Sequence, residues 1–136
     1  MRIDRFTERA QDAVARAQEI SQQMEHTQLD SEHLLLALLE QTDGLAIQML
    51  ERLGVDLDVA KRRVRDLLRA GPRVHYYSGV QTHVYITPRL KRIFERATEE
   101  ADRFTDEYVG PEHLLLAISQ DRDSAVGRIL RDLSVD

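Results

Sequence analysis

The chain has 136 residues, 42% of them apolar and 32% charged, with a net charge of −5 and no cysteine. That length is one domain with enough chain to bury a core, and the missing cysteines exclude a disulfide scaffold, a thiolate nucleophile and a Cys-ligated zinc. No apolar run is long enough to span a bilayer, and the start, Met1-Arg2-Ile3-Asp4-Arg5-Phe6, has no apolar signal core, so a cytoplasmic protein is expected.

Helix one is expected after Thr7, which caps it, with Ala10, Ala13, Val14, Ala17 and Ile20 along one face. Helix two starts at Asp30-Ser31-Glu32. Its Leu-Leu-Leu-Ala run is apolar on nearly all sides, so this helix belongs at the centre. Asp43, and its counterpart Asp123 in the second half, are the expected caps of a shorter third helix, which carries Leu45, Met49, Leu50 and Leu53 in the first. A fourth runs from Leu57 to about Ala70, with Val59, Ala60, Val64, Leu67 and Leu68 apolar and Arg62, Arg63, Arg65 and Arg69 on its basic side, and Gly71-Pro72 ends it. Residues 71–86 read as a linker. It holds Tyr76, Tyr77 and Tyr85, and either lies extended over the helices or forms a loop.

From Thr87 the pattern starts again. Thr7–Asp56 lies over Thr87–Asp136 without a gap, and 16 of the 50 positions are identical. The densest match is Glu32-His33-Leu34-Leu35-Leu36-Ala37 over Glu112-His113-Leu114-Leu115-Leu116-Ala117. Chance does not hold register over such a span. Pro88 and Pro111 mark first helical positions. The expectation is an all-α fold: one domain, 1–136, of two pseudo-two-fold-related repeats (1–70 and 87–136) of about four helices each. Copy two stops at Asp136, the counterpart of Asp56, so a helix matching 57–70 is missing. The chain is thus expected to be a fragment whose second repeat is truncated, with some apolar surface bare.

Charge is uneven along the chain. Residues 1–56 hold 5 basic and 11 acidic groups, 57–86 hold 6 and 2, and 87–136 hold 8 and 11. Acidic flanks argue against nucleic acid as a partner, since such binding draws on many phosphate contacts. No His-Glu-x-x-His occurs and no phosphate-binding Gly-x-x-x-x-Gly-Lys-Ser/Thr, so neither a metal nor a nucleotide is expected. The serines have no organised base beside them. Glu32 and Glu112 sit in first helical turns, where the dipole favours a carboxylate. They are expected to converge near the two-fold axis, either as dipole partners alone or as a site for a cation. The arginines of 61–69 form a solvated face or a contact for an acidic partner. The tyrosines pack on the core or form a partner strip.

The duplicated Glu-His-Leu-Leu-Leu-Ala, with Arg-Phe-Thr-Glu-Arg-Ala-Gln at 5–11 and Thr-Pro-Arg-Leu-Lys-Arg-Ile-Phe at 87–94, resembles the N-terminal domain of Clp-type AAA+ unfoldases. Asp-Glu-Tyr-Val-Gly-Pro-Glu-His at 106–113 looks most like the ClpB, or disaggregase, branch, with the protease-associated ClpC branch the close alternative. The resemblance implies a non-catalytic domain that recruits unfolded or aggregated polypeptide in a groove between the repeats. ATP and Mg would belong to ATPase modules outside this chain, in a hexameric parent, with the isolated domain monomeric and no membrane or nucleic acid involved. The ClpB-like pattern carries substrate handling to Thr7, Asp106 and Glu112. The ClpC-like pattern carries phosphoarginine recognition to Glu32 and Glu112, but copy two has Pro111 where that branch has a threonine. The competing expectation is an adaptor-docking module working through Tyr76, Tyr77 and Tyr85 or the basic helix.

Overall fold

The computed structural model describes residues 4–71 and 85–134. Among these residues there are seven helices: α1 (Glu8–Gln23), α2 (Ser31–Glu40), α3 (Leu45–Arg52), α4 (Leu57–Arg69), α5 (Pro88–Arg103), α6 (Pro111–Gln120) and α7 (Ala125–Leu133). The only strands described are two short ones, β1 (Gln28–Leu29) and β2 (Tyr85–Ile86). The fold is all-helical, as the sequence pattern implies.

The ends of the helices repeat as faithfully as the sequence does. Thr7 Oγ1 accepts the Ala10 N–H at 3.1 Å, and Thr87 Oγ1 accepts the Leu90 N–H at 3.1 Å, so each hydroxyl satisfies one donor left over at a helix start. α1 and α5 both end through a left-handed residue that is not glycine, Glu25 (φ 59°) and Thr105 (φ 55°). In each case the next N–H folds back on the helix: His26 to the Ser21 carbonyl at 2.9 Å, and Asp106 to the Ala101 carbonyl at 2.8 Å. The third helices differ from expectation. Their caps are Gly44 and Ser124, not Asp43 and Asp123. Ser124 Oγ accepts the Gly127 N–H at 3.0 Å, while Gly44 sits at φ 105°, a conformation open to glycine and strained for other residues. The Asp43 carboxylate is thereby released to bind Arg9.

The two repeats are stitched by exchanged backbone pairs. β1 and β2 run parallel, with Leu29 opposite Ile86, and Phe6 forms a parallel bridge with Val109. Leu29 and Val109 are equivalent under the repeat, as are Ile86 and Phe6. Each repeat therefore lends the residues before its first helix to the other repeat's loop. The Thr7 N–H reaches the Val109 carbonyl at 2.9 Å, and the Thr87 N–H reaches Leu29 at 3.1 Å.

α2 and α6 lie against each other at the centre. α1 and α4 pack on α2, α5 and α7 on α6, and α3 crosses to α6. Leu34, Leu35, Leu38, Leu39, Leu114 and Ile118 are completely buried, each adding roughly 1.5–3 kcal/mol of hydrophobic stabilisation. α4 covers α2 and α7 with Ala60, Val64 and Leu68. The repeat carries that seat onto α6 and α3. There, an apolar groove of about 430 Å³ runs between Met49, Leu53, Leu115, Leu116 and Leu130, rimmed by Arg122 and Arg131.

Candidate functional site

The two Glu-His motifs begin the two central helices, and each histidine has a local duty. The Asp30 N–H donates to His33 Nδ1 at 3.0 Å, and the Gly110 N–H donates to His113 Nδ1 at 2.9 Å. Each ring thus closes its own helix start from the third position, as a Glu or Gln does in a capping box. Because Nδ1 accepts, the neutral ring carries its proton on Nε2. His33 Nε2 points at His26 Nδ1, 2.8 Å away, and His113 Nε2 donates to Asp106 Oδ2 at 2.9 Å. His26 and Asp106 are equivalent positions, each following the left-handed residue that ends the preceding helix. One ring therefore ties a helix end to the next helix start in both repeats. Burial, and then the neighbouring imidazole of His26, push the His33 pKa down to about 4.

Glu112 and Thr7 come together although they belong to different repeats. They line a cavity of about 320 Å³ where the starts of α1, α3 and α6 meet. Its walls include Leu45, Ala46 and Pro111, and its charges are Glu8, Asp43 and Glu112 against the single guanidinium of Arg9. Arg9 is held back at the edge, with Nη2 2.7 Å from both the carbonyl and Oδ1 of Asp43. Three carboxylates facing one cation favour a positively charged guest, and the apolar walls suit the stem of a long side chain.

The expected convergence of Glu32 and Glu112 is not what the structure shows. Glu112 faces the start of α1, whereas Glu32 faces the start of α5, where Arg89 lies. Ser31 Oγ donates to Glu32 Oε1 at 3.3 Å. Burial first, and the Asp30 carboxylate second, raise the Glu32 pKa, and Ser31 and Arg89 pull the other way. Asp106 does not line the cavity of Glu112 and Thr7; it holds His113 in place. Tyr85 is 71% exposed on β2, while Tyr76 and Tyr77 lie outside the described residues. The basic side of α4 is partly paired: Arg63 with Asp132 of α7, and Arg65 with Glu40 of α2. Sequence reasoning missed Asp43, Leu45 and Arg89 as members of these sites. Only the unequal partners of Arg9 and Arg89 at equivalent positions could have pointed to them. No group of three or more His, Asp or Glu among the described residues is placed to hold a metal, and no described helix is long and apolar enough to cross a membrane.

Comparison with known proteins gives the chain its relatives. The family described as "Clp repeat (R) N-terminal domain" matches residues 5–133. A probable ATP-dependent Clp protease ATP-binding subunit from Chlamydia pneumoniae is 38% identical over 98% of this chain and 15% of its own length. The chaperone protein ClpB of Bacillus cereus is 34% identical over 90% of this chain and 14% of its own. The Hsp104 N-terminal domain from Candida albicans superposes with a TM-score of 0.79 at 20% identity, over 94% of this chain and 81% of that one. The chain thus spans about 15% of the length of the curated relatives it matches.

Proposed function

The chain belongs to the Clp repeat N-terminal domain family, and from that premise we propose that it recruits unfolded or aggregated polypeptide for a Clp-type ATP-dependent unfoldase. The binding place is the cavity between the repeats. The observation that carries this reading is that Thr7 of one repeat and Glu112 of the other line one cavity with apolar walls and a surplus of carboxylates. Unfolded chains expose apolar side chains beside positive groups, and such a cavity holds both weakly. Weak capture suits a domain that passes its cargo onward. Thr7 contributes by lining the cavity and by capping the start of α1 that forms its wall. Glu112 supplies the charge.

In this reading the domain itself does no catalysis and needs no cofactor; ATP hydrolysis belongs to modules elsewhere in the parent. The ClpC-like version of the same site, a phosphoarginine receptor, would place the guanidinium at Glu112. A second reading, adaptor docking, is favoured by the exposed Tyr85.

The test is fluorescence anisotropy with a labelled, reduced and alkylated unfolded protein. Glu112→Gln should weaken binding by roughly fivefold, the worth of one partly exposed charge contact. Tyr85→Ala should leave it unchanged. The reverse pattern would move the site to β2 and favour the adaptor reading.

A further inference from the structure

We propose that the chain plugs one of its two equivalent acidic stations with its own Arg89, so that a cationic side chain of the substrate is accepted only at the Glu112 station. This rests on the reading of Glu112 as a receptor for positive groups.

The repeat makes two stations of the same plan. At the second, the start of α6 faces the start of α1, with Glu112 and Arg9. At the first, the start of α2 faces the start of α5, with Glu32 and Arg89. Arg9 and Arg89 are equivalent, but they behave differently. Arg89 Nη1 lies 3.7 Å from Asp30 Oδ2, and its Nε lies 3.4 Å from Asp121 Oδ2. The guanidinium therefore bridges the cap of α2 and the residue after α6. Asp30 is itself anchored, because its Oδ1 accepts the Ser31 N–H at 2.7 Å.

The counterparts of Asp30 and Asp121 are Gly110 and Gln41. Gly110 has no side chain, and the Gln41 amide is neutral and donates to the Arg9 carbonyl at 3.0 Å. With no carboxylate at 110 or 41 to hold it, Arg9 turns to Asp43. The missing side chain at 110 has a second effect. A Cβ there would overlap the Glu112 carboxylate, so glycine provides the space in which Glu112 sits. Two substitutions between the repeats thus fill one station and leave the other to a guest.

Arg89 is also the observation that identifies the guest. A guanidinium already occupies one station, held by carboxylates, and the other station keeps three carboxylates against Arg9. The plug is reversible in kind. Arg89 is 41% exposed, so its ion pairs are individually weak. Its advantage is the tether, which keeps the guanidinium at the station so that a peptide arginine must displace it to enter.

The test is an amide NMR titration of the domain with an unstructured peptide containing a single arginine. The wild type should take up one peptide, with shifts at Leu45, Gly110 and Glu112. Arg89→Ala, and Arg89→Gln as a variant that keeps the stem, should add a second set at Ser31 and Glu32 and raise the stoichiometry from one to two. Gly110→Asp should abolish the first set by displacing Glu112 and recruiting Arg9. Shifts at Glu32 in the wild type, or a stoichiometry of one in both Arg89 variants, would overturn the plug while leaving the Glu112 receptor standing. No shifts at either station in any of the proteins would overturn both.

Discussion

The two halves of the molecule solve one problem with different chemistry. In each, a histidine at the third position of the central helix caps that helix and reaches back to the end of the preceding one. In the first half its partner is a second imidazole, His26, and in the second a carboxylate, Asp106. A buried imidazole beside a second imidazole resists protonation, because the added charge is neither solvated nor paired. The same divergence recurs a few residues on, where Asp30 becomes Gly110 and the neighbouring arginine changes partners. A duplicated fold thus keeps its backbone plan and its core while the polar groups at the helix starts are free to specialise.

The largest effects should fall on what the halves share. Leu34 and Leu114 are equivalent and fully buried. Leu34→Ala and Leu114→Ala should each cost about 2–5 kcal/mol of unfolding free energy by urea denaturation. A difference between them beyond about 2 kcal/mol would break the picture of two equally central helices.

Next comes the imidazole pair. His33 titrates near 4 in the folded protein against 6.5 for a free ring, so the unfolded chain takes up the proton first. Stability is therefore full above pH 6.5, falls as the pH drops toward 4, and levels off below that. The loss is on the order of 3 kcal/mol. Urea unfolding at a series of pH values measures it. His26→Asp, which copies the second half into the first, should flatten the decline. An unaltered decline would show that His26 is not the partner that matters.

The smallest effects concern the caps. Thr7→Ala and Thr87→Ala should each cost about 1 kcal/mol, since both hydroxyls accept one N–H at the same distance. Their stability effects should match. Only Thr7→Ala should also disturb substrate binding, because only Thr7 lines the cavity of Glu112.

Much of this was legible in the sequence. Proline and threonine at 87–88 announce the start of α5, and a register of 80 residues transfers it to α1. The apolar run after each Glu-His marks the central helices. What the repeat could not reveal is how the halves meet. That depends on the exchange of Phe6 and Ile86 between loops, a pairing of residues far apart in the chain. That exchange sets Thr7 beside Glu112 and sends Glu32 to a different neighbourhood. The caps of the third helices also escaped, because Asp43 and Asp123 are plausible caps by type. Asp43 lies one residue too early and is taken by Arg9.

The central claim is that unfolded polypeptide is received between the repeats, at Thr7 and Glu112. An amide NMR titration with a permanently unfolded protein tests it most directly. The account predicts shifts gathered at Thr7, Leu45, Gly110 and Glu112, and their loss in Glu112→Gln. Shifts confined to Met49, Leu53, Leu115 and Leu116 of the apolar groove, or to Tyr85, would contradict it.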